Sequence, residues 1–159
     1  MSIDEIIDHV EGLGGVLTLR PQDGDGSPEI AWGDAFFYYA PDRVVPRTQP
    51  FATIVTKDYP DDRTSHLDRP GAFRVNVAAG TDLFTEWTGL TPRDFVTPDA
   101  SAERDAPDDA VFGHPVYGSL GWLCVVNPGE RTTTAVQDLL AQAHRLARSR
   151  AERRSPANG

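Results

Sequence analysis

The stretch from Gly113 to Asn127, GHPVYGSLGWLCVVN, constrains the fold more than any other part of the chain. Its apolar core, residues 120–126, is too long for a loop and too short for a helix with caps of its own, which predicts a buried strand. The preceding residues 114–118, HPVYG, carry turn residues and hydrogen-bonding side chains. The chain therefore brings polar groups to an edge of the sheet just before it enters the core.

The residues after this strand predict the start of a final helix. Asn127 would be its N-cap, Pro128 would occupy its first position, and Glu130 would complete a capping box. We expect the helix to run to Arg150 and a disordered tail to follow over residues 151–159. The helix is indicated by an apolar stripe at helical spacing, formed by Val136, Leu139, Leu140, Ala143, Leu146 and Ala147.

The other elements follow from hydrophobic periodicity and from turn residues. A helix is expected from Ser2 to about Gly12 and a shorter one over residues 81–87, whereas Pro92 to Gly113 should be a long surface loop. Further strands are expected at residues 16–19, 30–32, 36–39, 51–56 and 72–77. This order predicts a single α+β domain over residues 1–150, an antiparallel sheet with the N- and C-terminal helices packed on one face.

Composition and charge limit the classes of binding partner and the cellular compartment that we expect. The formal charge of −9 argues against nucleic acid, because backbone binding needs a positive field. Five arginines and one glutamate between Arg145 and Arg154 form a local exception, which we assign to the helix dipole. No apolar run approaches the roughly 18 residues of a transmembrane helix, so we predict a cytoplasmic protein without membrane contact. A single cysteine, Cys124, excludes an internal disulfide and should be a core residue.

Three blocks of the chain resemble an uncharacterised family of small bacterial proteins, largely actinobacterial, known as a domain of unknown function. They are FATIVTKD at 51–58, SHLDRPGAFRVN at 65–76, and HPVYG at 114–118 continuing through Trp122 to Pro128. They fit the family pattern FATIxxKD, LDRPGxFRxN and HPVYGxxxW over nearly the whole chain. The resemblance implies kinship and no established activity. In element order the chain is also similar to MmcQ/YjbR-like proteins, an analogy that carries no function.

The strand at 72–77 gives the main indication of function. Its apolar side chains lie on one face, so Arg74 and Asn76 should lie on the open face of the sheet, beside two of the four aromatic residues at 36–39. We therefore predict a concave, aromatic-lined surface that binds a small organic or anionic molecule, with cations converging at its rim. The candidate ligand-binding residues are Tyr38, Lys57, Ser65, Asp68, Arg69, Arg74, Asn76, His114, Tyr117 and Trp122.

A small enzyme is the first alternative. Lys57, Ser65 and His114 could supply acid, base or hydrolytic chemistry. The chain has no nucleophile elbow, no metal-ligand histidine pair and no glycine-rich phosphate loop. The sequence therefore assigns no catalytic residue, no metal site and no cofactor.

A homodimer or a protein-interaction module is the second alternative, because exposed aromatic residues suit an interface equally well. Structural roles also stay open for individual residues. Asp68 can cap a turn, Arg69 can pair with an acid such as Asp62, and His114 can hydrogen-bond a loop carbonyl.

Overall fold

The computed structural model describes residues 1–96 and 107–154. Within them, the helices are α1 (Ile3–Glu11), α2 (Thr81–Thr88) and α3 (Thr133–Arg154), and the strands are β1 (Val16–Leu19), β2 (Ala35–Tyr39), β3 (Ala52–Val55), β4 (Arg74–Ala78), β5 (Val111–Gly113) and β6 (Trp122–Val126). Short 3₁₀-helices cover Glu29–Ala31, Pro92–Asp94 and Gly118–Leu120. No helix in these ranges has the length and apolar character needed to cross a bilayer.

The strands form one antiparallel sheet in the order β1-β2-β3-β4-β6-β5. Helices α1, α2 and α3 contribute side chains to a single hydrophobic core on one face of this sheet. The structure therefore confirms the predicted α+β fold. The N-terminal helix begins as predicted, with a reciprocal capping box between Ser2 and Glu5.

The helix-covered face of the sheet is apolar because alternate residues of each strand point toward it. The register aligns Phe37, Ala52, Val77 and Leu123 in one row across four strands. All four are buried, and they share a core with α1 and α3. This row fixes which side chains the opposite face must present.

The opposite face, which we call the cavity face, carries the neighbouring row Phe36, Thr53, Asn76 and Cys124. The alternation predicted for β4 is confirmed, since its apolar residues join the core while Arg74 and Asn76 do not. The face is not open as expected, because a loop covers part of it. Leu67 packs there in a second apolar cluster, formed by Val55, Leu67 and Val126.

The predicted cap of α3 is wrong. The helix begins at Thr133, and Asn127 adopts a left-handed backbone (φ 46°) while its side chain accepts a hydrogen bond from the Phe73 amide. The Asp109 carboxylate caps this segment instead, accepting from the amides of Gly129, Arg131 and Thr132. The local sequence shows no sign of this cap because the acid lies far upstream in the chain.

Two predicted strands also need correction. Residues 30–32 do not form a strand but belong to the 3₁₀ turn at Glu29–Ala31, in which the Trp32 amide donates to the Glu29 carbonyl. A three-residue apolar run is too short to distinguish the two structures. The strand expected from residue 120 begins only at Trp122, because Gly121 is left-handed (φ 86°).

The expected long loop is shorter than predicted. It contains the 3₁₀-helix Pro92–Asp94 and the edge strand β5, which pairs with β6. The central part of this prediction, residues 97–106, lies outside the described residues. Helix α3 continues past its predicted end at Arg150 and ends at Arg154. The rest of the predicted tail, residues 155–159, lies outside the described residues.

Candidate ligand-binding cavity

A cavity of about 470 Å³ opens on the cavity face of the sheet. Strands β2, β3 and β4 provide its inner wall, and the segment between β5 and β6 closes one side. Its aromatic lining consists of Phe36, Tyr38, Tyr59, His114, Tyr117 and Trp122. Its polar lining includes Thr53, Asp61, Asp62, Arg74 and Asn76. Six predicted binding residues therefore line one cavity: Tyr38, Arg74, Asn76, His114, Tyr117 and Trp122.

The rings of His114, Tyr117 and Trp122 form one wall. Their centroids lie 4.9 Å apart for His114 and Tyr117, and 6.0 Å apart for Tyr117 and Trp122. The 3₁₀ turn before β6 keeps them together, because it places Tyr117 beside the strand that carries Trp122. These spacings are those of attractive aromatic pairs, so the wall is organised before any ligand arrives.

Arg74 lies at the base of the cavity and is only 1% exposed. Its Nε donates to Asn76 Oδ1 at 2.7 Å, its Nη1 donates to Ser65 Oγ at 2.9 Å, and both terminal nitrogens donate to Asp62. Burial alone would raise the pKa of Asp62, but the hydrogen bonds and charge of Arg74 outweigh it and hold that pKa below its usual value. The guanidinium is thus neutralised internally and is not free to clamp an anion.

His114 is held in a neutral form. Its Nδ1 accepts hydrogen bonds from the amides of Val116 and Tyr117, both at 3.0 Å. We therefore assign the single ring proton to Nε2, which faces the Arg74–Asp62 pair at 3.2 Å from Arg74 Nη2 and 3.9 Å from Asp62 Oδ2. Burial, and then the charge of Arg74, lower the pKa of His114 to about 3. The residue does hydrogen-bond a loop, although through amides and not through the expected carbonyl.

The base of the cavity contains hydrogen-bond donors that have no acceptor among the described residues. Asn76 Nδ2 donates one hydrogen to Thr53 Oγ1 at 2.9 Å, and its second has no acceptor among the described residues. The hydroxyl hydrogen of Thr53 adds to this set. A ligand atom that reaches the base of the cavity is therefore best stabilised if it is a hydrogen-bond acceptor.

Lys57 does not join Arg74 and His114, which corrects the predicted convergence of cations. Its Nζ donates to Asp34 Oδ1 at 3.0 Å and to the Trp32 carbonyl at 2.8 Å. The Tyr59 hydroxyl donates to the same buried carboxylate. Burial, and then the Asp34 carboxylate, raise the pKa of this hydroxyl. Lys57 and Asp34 therefore hold the Tyr59 ring in the cavity wall, and Lys57 itself is not among the lining residues.

The remaining predicted residues also lie outside the cavity lining. Ser65 is buried behind Arg74, and Asp68 accepts a hydrogen bond from the Asp58 amide. Arg69 pairs with Asp108 at 3.3 Å, so the suggested pairing with Asp62 is wrong. These contacts shape the loop that covers the cavity face.

The catalytic set considered from the sequence is not assembled. The Ser65 hydroxyl accepts a hydrogen bond from Arg74, and Lys57 donates one to Asp34. His114 Nδ1 accepts hydrogen bonds from two backbone amides. The burial that raises the pKa of Cys124 to about 12 keeps its thiol protonated, as expected for a core residue. In the described ranges, no group of His, Cys, Asp or Glu side chains is placed to hold a metal ion.

Sequence reasoning missed several lining residues. Phe36 and Thr53 could have been found by extending the two-residue alternation of Tyr38 and Asn76 across the sheet. Asp62 belongs to a polar segment whose position depends on tertiary contacts, and no local pattern identifies it as the partner of Arg74.

The family model described as Family of unknown function (DUF6194) matches residues 1–156, so the chain belongs to that family. This confirms the predicted membership in a domain-of-unknown-function family. No curated protein and no solved structure matches the chain. The bacterial origin, the three sequence blocks as a family signature and the likeness to MmcQ/YjbR-like proteins stay predictions.

Proposed function

We propose that this protein binds a small, flat organic molecule in the aromatic cavity. The supporting observation is a recess of about 470 Å³ with aromatic walls and a buried polar base. Ligand sites in proteins generally have volumes of roughly 300–1,000 Å³ and combine apolar walls with a few placed polar groups. Here the polar groups are held by internal hydrogen bonds, so the site is largely formed without a ligand.

The charge of the lining favours an uncharged ring system over an anion. Among the described residues of the lining, Asp61 and Asp62 outnumber the single cation, Arg74, and His114 is neutral. An anion at this depth would face the Asp62 carboxylate, whereas a carbonyl or ring-nitrogen acceptor would meet the donors of Asn76 and Thr53. Of the two ligand classes expected from the sequence, the cavity itself therefore favours the organic one.

Ring binding can be tested with N-phenyl-1-naphthylamine, an uncharged dye that fluoresces in apolar sites. We expect saturable enhancement with the wild type and about tenfold weaker binding by Tyr38→Ala, which loses an aromatic contact. Tyr39→Ala is the matched control, because Tyr39 is adjacent in sequence but packs on the helix-covered face. Equal binding by the wild type and Tyr38→Ala would rule out this cavity as the binding site.

The preference for an acceptor can be tested with two compounds on one ring system. We expect 2-acetylnaphthalene to displace the dye more strongly than 2-ethylnaphthalene. Asn76→Leu should abolish the advantage of the acetyl compound, because it removes the free amide donor. An ethyl compound that competes as well as the acetyl compound would contradict the proposed role of the donors.

A homodimer is the second candidate, favoured by exposed apolar side chains at the mouth of the cavity. Ile30, Tyr117 and Leu120 line the cavity and remain 39%, 46% and 70% exposed. If this rim is an interface, Leu120→Asp should convert a dimer to a monomer in light scattering coupled to gel filtration. A monomeric wild type at the highest soluble concentration would exclude this candidate.

A further inference from the structure

A second recess of about 410 Å³ adjoins the aromatic cavity. We call it the arginine groove, bounded by Ala143, Ala147, Arg150 and Arg154 of α3 and by Leu120 and Trp122. Leu120 and Trp122 line both recesses, together with Gln49 and Pro50. The two recesses are therefore neighbours across a shared wall, and one molecule could occupy both.

The charge of the arginine groove is opposite to that of the aromatic cavity. Arg150 and Arg154 lie one helical turn apart on the same side of α3, and no acid within residues 1–96 and 107–154 lines the groove. Neither arginine forms an ion pair within the described residues, whereas Arg148 on the same helix pairs with Glu152.

The helix dipole explains a basic last turn but not this arrangement. Arg153 and Arg154 both lie in the last turn of α3 and both complement the dipole. Of these two residues, Arg154 lines the groove and Arg153 does not, and Arg150 lines it one turn earlier. A dipole effect places no requirement on which side of the helix the charges lie, so the shared side needs a further reason.

We propose that the arginine groove binds the anionic group of an amphipathic molecule whose ring system occupies the aromatic cavity. The ligand class is thus a flat organic ring system bearing a carboxylate, sulfonate or phosphate. This assignment rests on the proposed cavity function for the ring and adds the anion site. It also assigns the two ligand properties expected from the sequence, organic and anionic, to different places. The organic ring system lies in the aromatic cavity, and the anionic group contacts α3 instead of Arg74.

Two dyes with one ring system test the assignment. 8-Anilinonaphthalene-1-sulfonate carries an anionic group that N-phenyl-1-naphthylamine lacks. We expect Arg150→Gln/Arg154→Gln to weaken binding of the sulfonate about fivefold to tenfold and to change binding of the uncharged dye less than twofold, as expected for two partly exposed charge contacts. Added salt should weaken only the sulfonate.

Arg153→Gln is the matched control for the single variant Arg154→Gln, because each removes one positive charge from the last turn of α3 and Arg153 lies outside the groove. Unchanged sulfonate binding in the double variant, or equal losses in Arg153→Gln and Arg154→Gln, would overturn the anion site. The two proposals fail in different ways. If Tyr38→Ala left both dyes unaffected while the double variant weakened the sulfonate, the anion site would stand and the cavity function would fall.

Discussion

The same strands form both faces of the β-sheet, but the two faces bury side chains of different kinds. On the helix-covered face, Val75 and Val77 pack into one continuous apolar core. On the cavity face, the intervening Arg74 and Asn76 are just as buried, yet each is held by hydrogen bonds to partners from other segments. Burial on one face thus excludes polar groups, whereas on the other it organises them around a recess.

The buried ion pair on the cavity face is better explained by recognition than by stability. Desolvation of Arg74 and Asp62 offsets much of their mutual attraction, so a well-packed apolar pair would stabilise the fold equally well. What an apolar pair would not provide is a fixed donor array below a ring of aromatic side chains. The comparison therefore predicts that variants on the helix-covered face lose stability, while variants at the cavity lining lose binding.

The largest effect should separate adjacent phenylalanines of β2. Phe37→Ala removes a fully buried ring from the core, and we expect it to lower the free energy of unfolding by about 4 kcal/mol. Phe36→Ala, one residue away on the cavity face, should lower it by about 1–2 kcal/mol and weaken binding of N-phenyl-1-naphthylamine. Urea unfolding and dye titration measure the two quantities. Equal losses of stability would remove the distinction between the faces.

The next effect concerns the ion pair itself. Asp62→Ala leaves the buried Arg74 guanidinium without its carboxylate, and we expect it to lower the free energy of unfolding by about 3 kcal/mol. Asp61→Ala is the matched control, since this neighbouring acid is exposed and should change stability by less than about 0.5 kcal/mol. The pair Asp62→Leu/Arg74→Met should recover much of the loss while still impairing ligand binding. Failure of that recovery would show that the pair itself is required for folding.

The third effect is a pH dependence caused by His114. Its pKa of about 3 in the folded protein lies below the ordinary value near 6.5, so the unfolded chain binds more protons between these pH values. Stability should therefore fall as the pH drops below about 6.5, with a contribution of up to about 1.4 kcal/mol per pH unit. His114→Asn can still accept from the Val116 and Tyr117 amides and cannot titrate. Its unfolding free energy, measured from pH 4 to 8 alongside the wild type, should show a shallower slope.

Local patterns in the sequence were sufficient for the features that depend on nearest neighbours. The two-residue alternation along β4 placed Arg74 and Asn76 on the face opposite the core, and the apolar stripe located α3. The capping box at Ser2 is also a local signal. These predictions hold because periodicity directly reflects which side of an element is buried.

Features that depend on distant segments could not be predicted in the same way. Lys57 was predicted to lie at the rim of the cavity, but it donates a hydrogen bond to Asp34, which precedes it by more than twenty residues. Arg74 looked like an anion clamp, but Asp62 neutralises it. In each case the fold brings an acidic partner to the basic side chain. The net charge that a ligand contacts therefore differs from the formal charge of that residue in the sequence.

The start of α3 provides the smallest of these tests, because its cap also comes from a distant acid. Asp109 accepts a hydrogen bond from the Thr132 hydroxyl and three backbone hydrogen bonds from the segment before the helix. The Thr132 hydroxyl, and then the backbone amides, lower its pKa to about 2. A carboxyl whose folded pKa lies below its unfolded value stabilises the fold above the unfolded pKa, and the contribution disappears as the pH falls through about 2. Asp109→Ala should therefore lower the melting temperature at pH 7, with the difference from the wild type shrinking toward pH 2. Asp109→Asn keeps one acceptor oxygen and tolerates the left-handed backbone at this position (φ 56°), so it should lose less. A melting temperature unchanged in Asp109→Ala would mean that the Asn127 region begins the helix without this carboxylate, and that a local cap suffices after all.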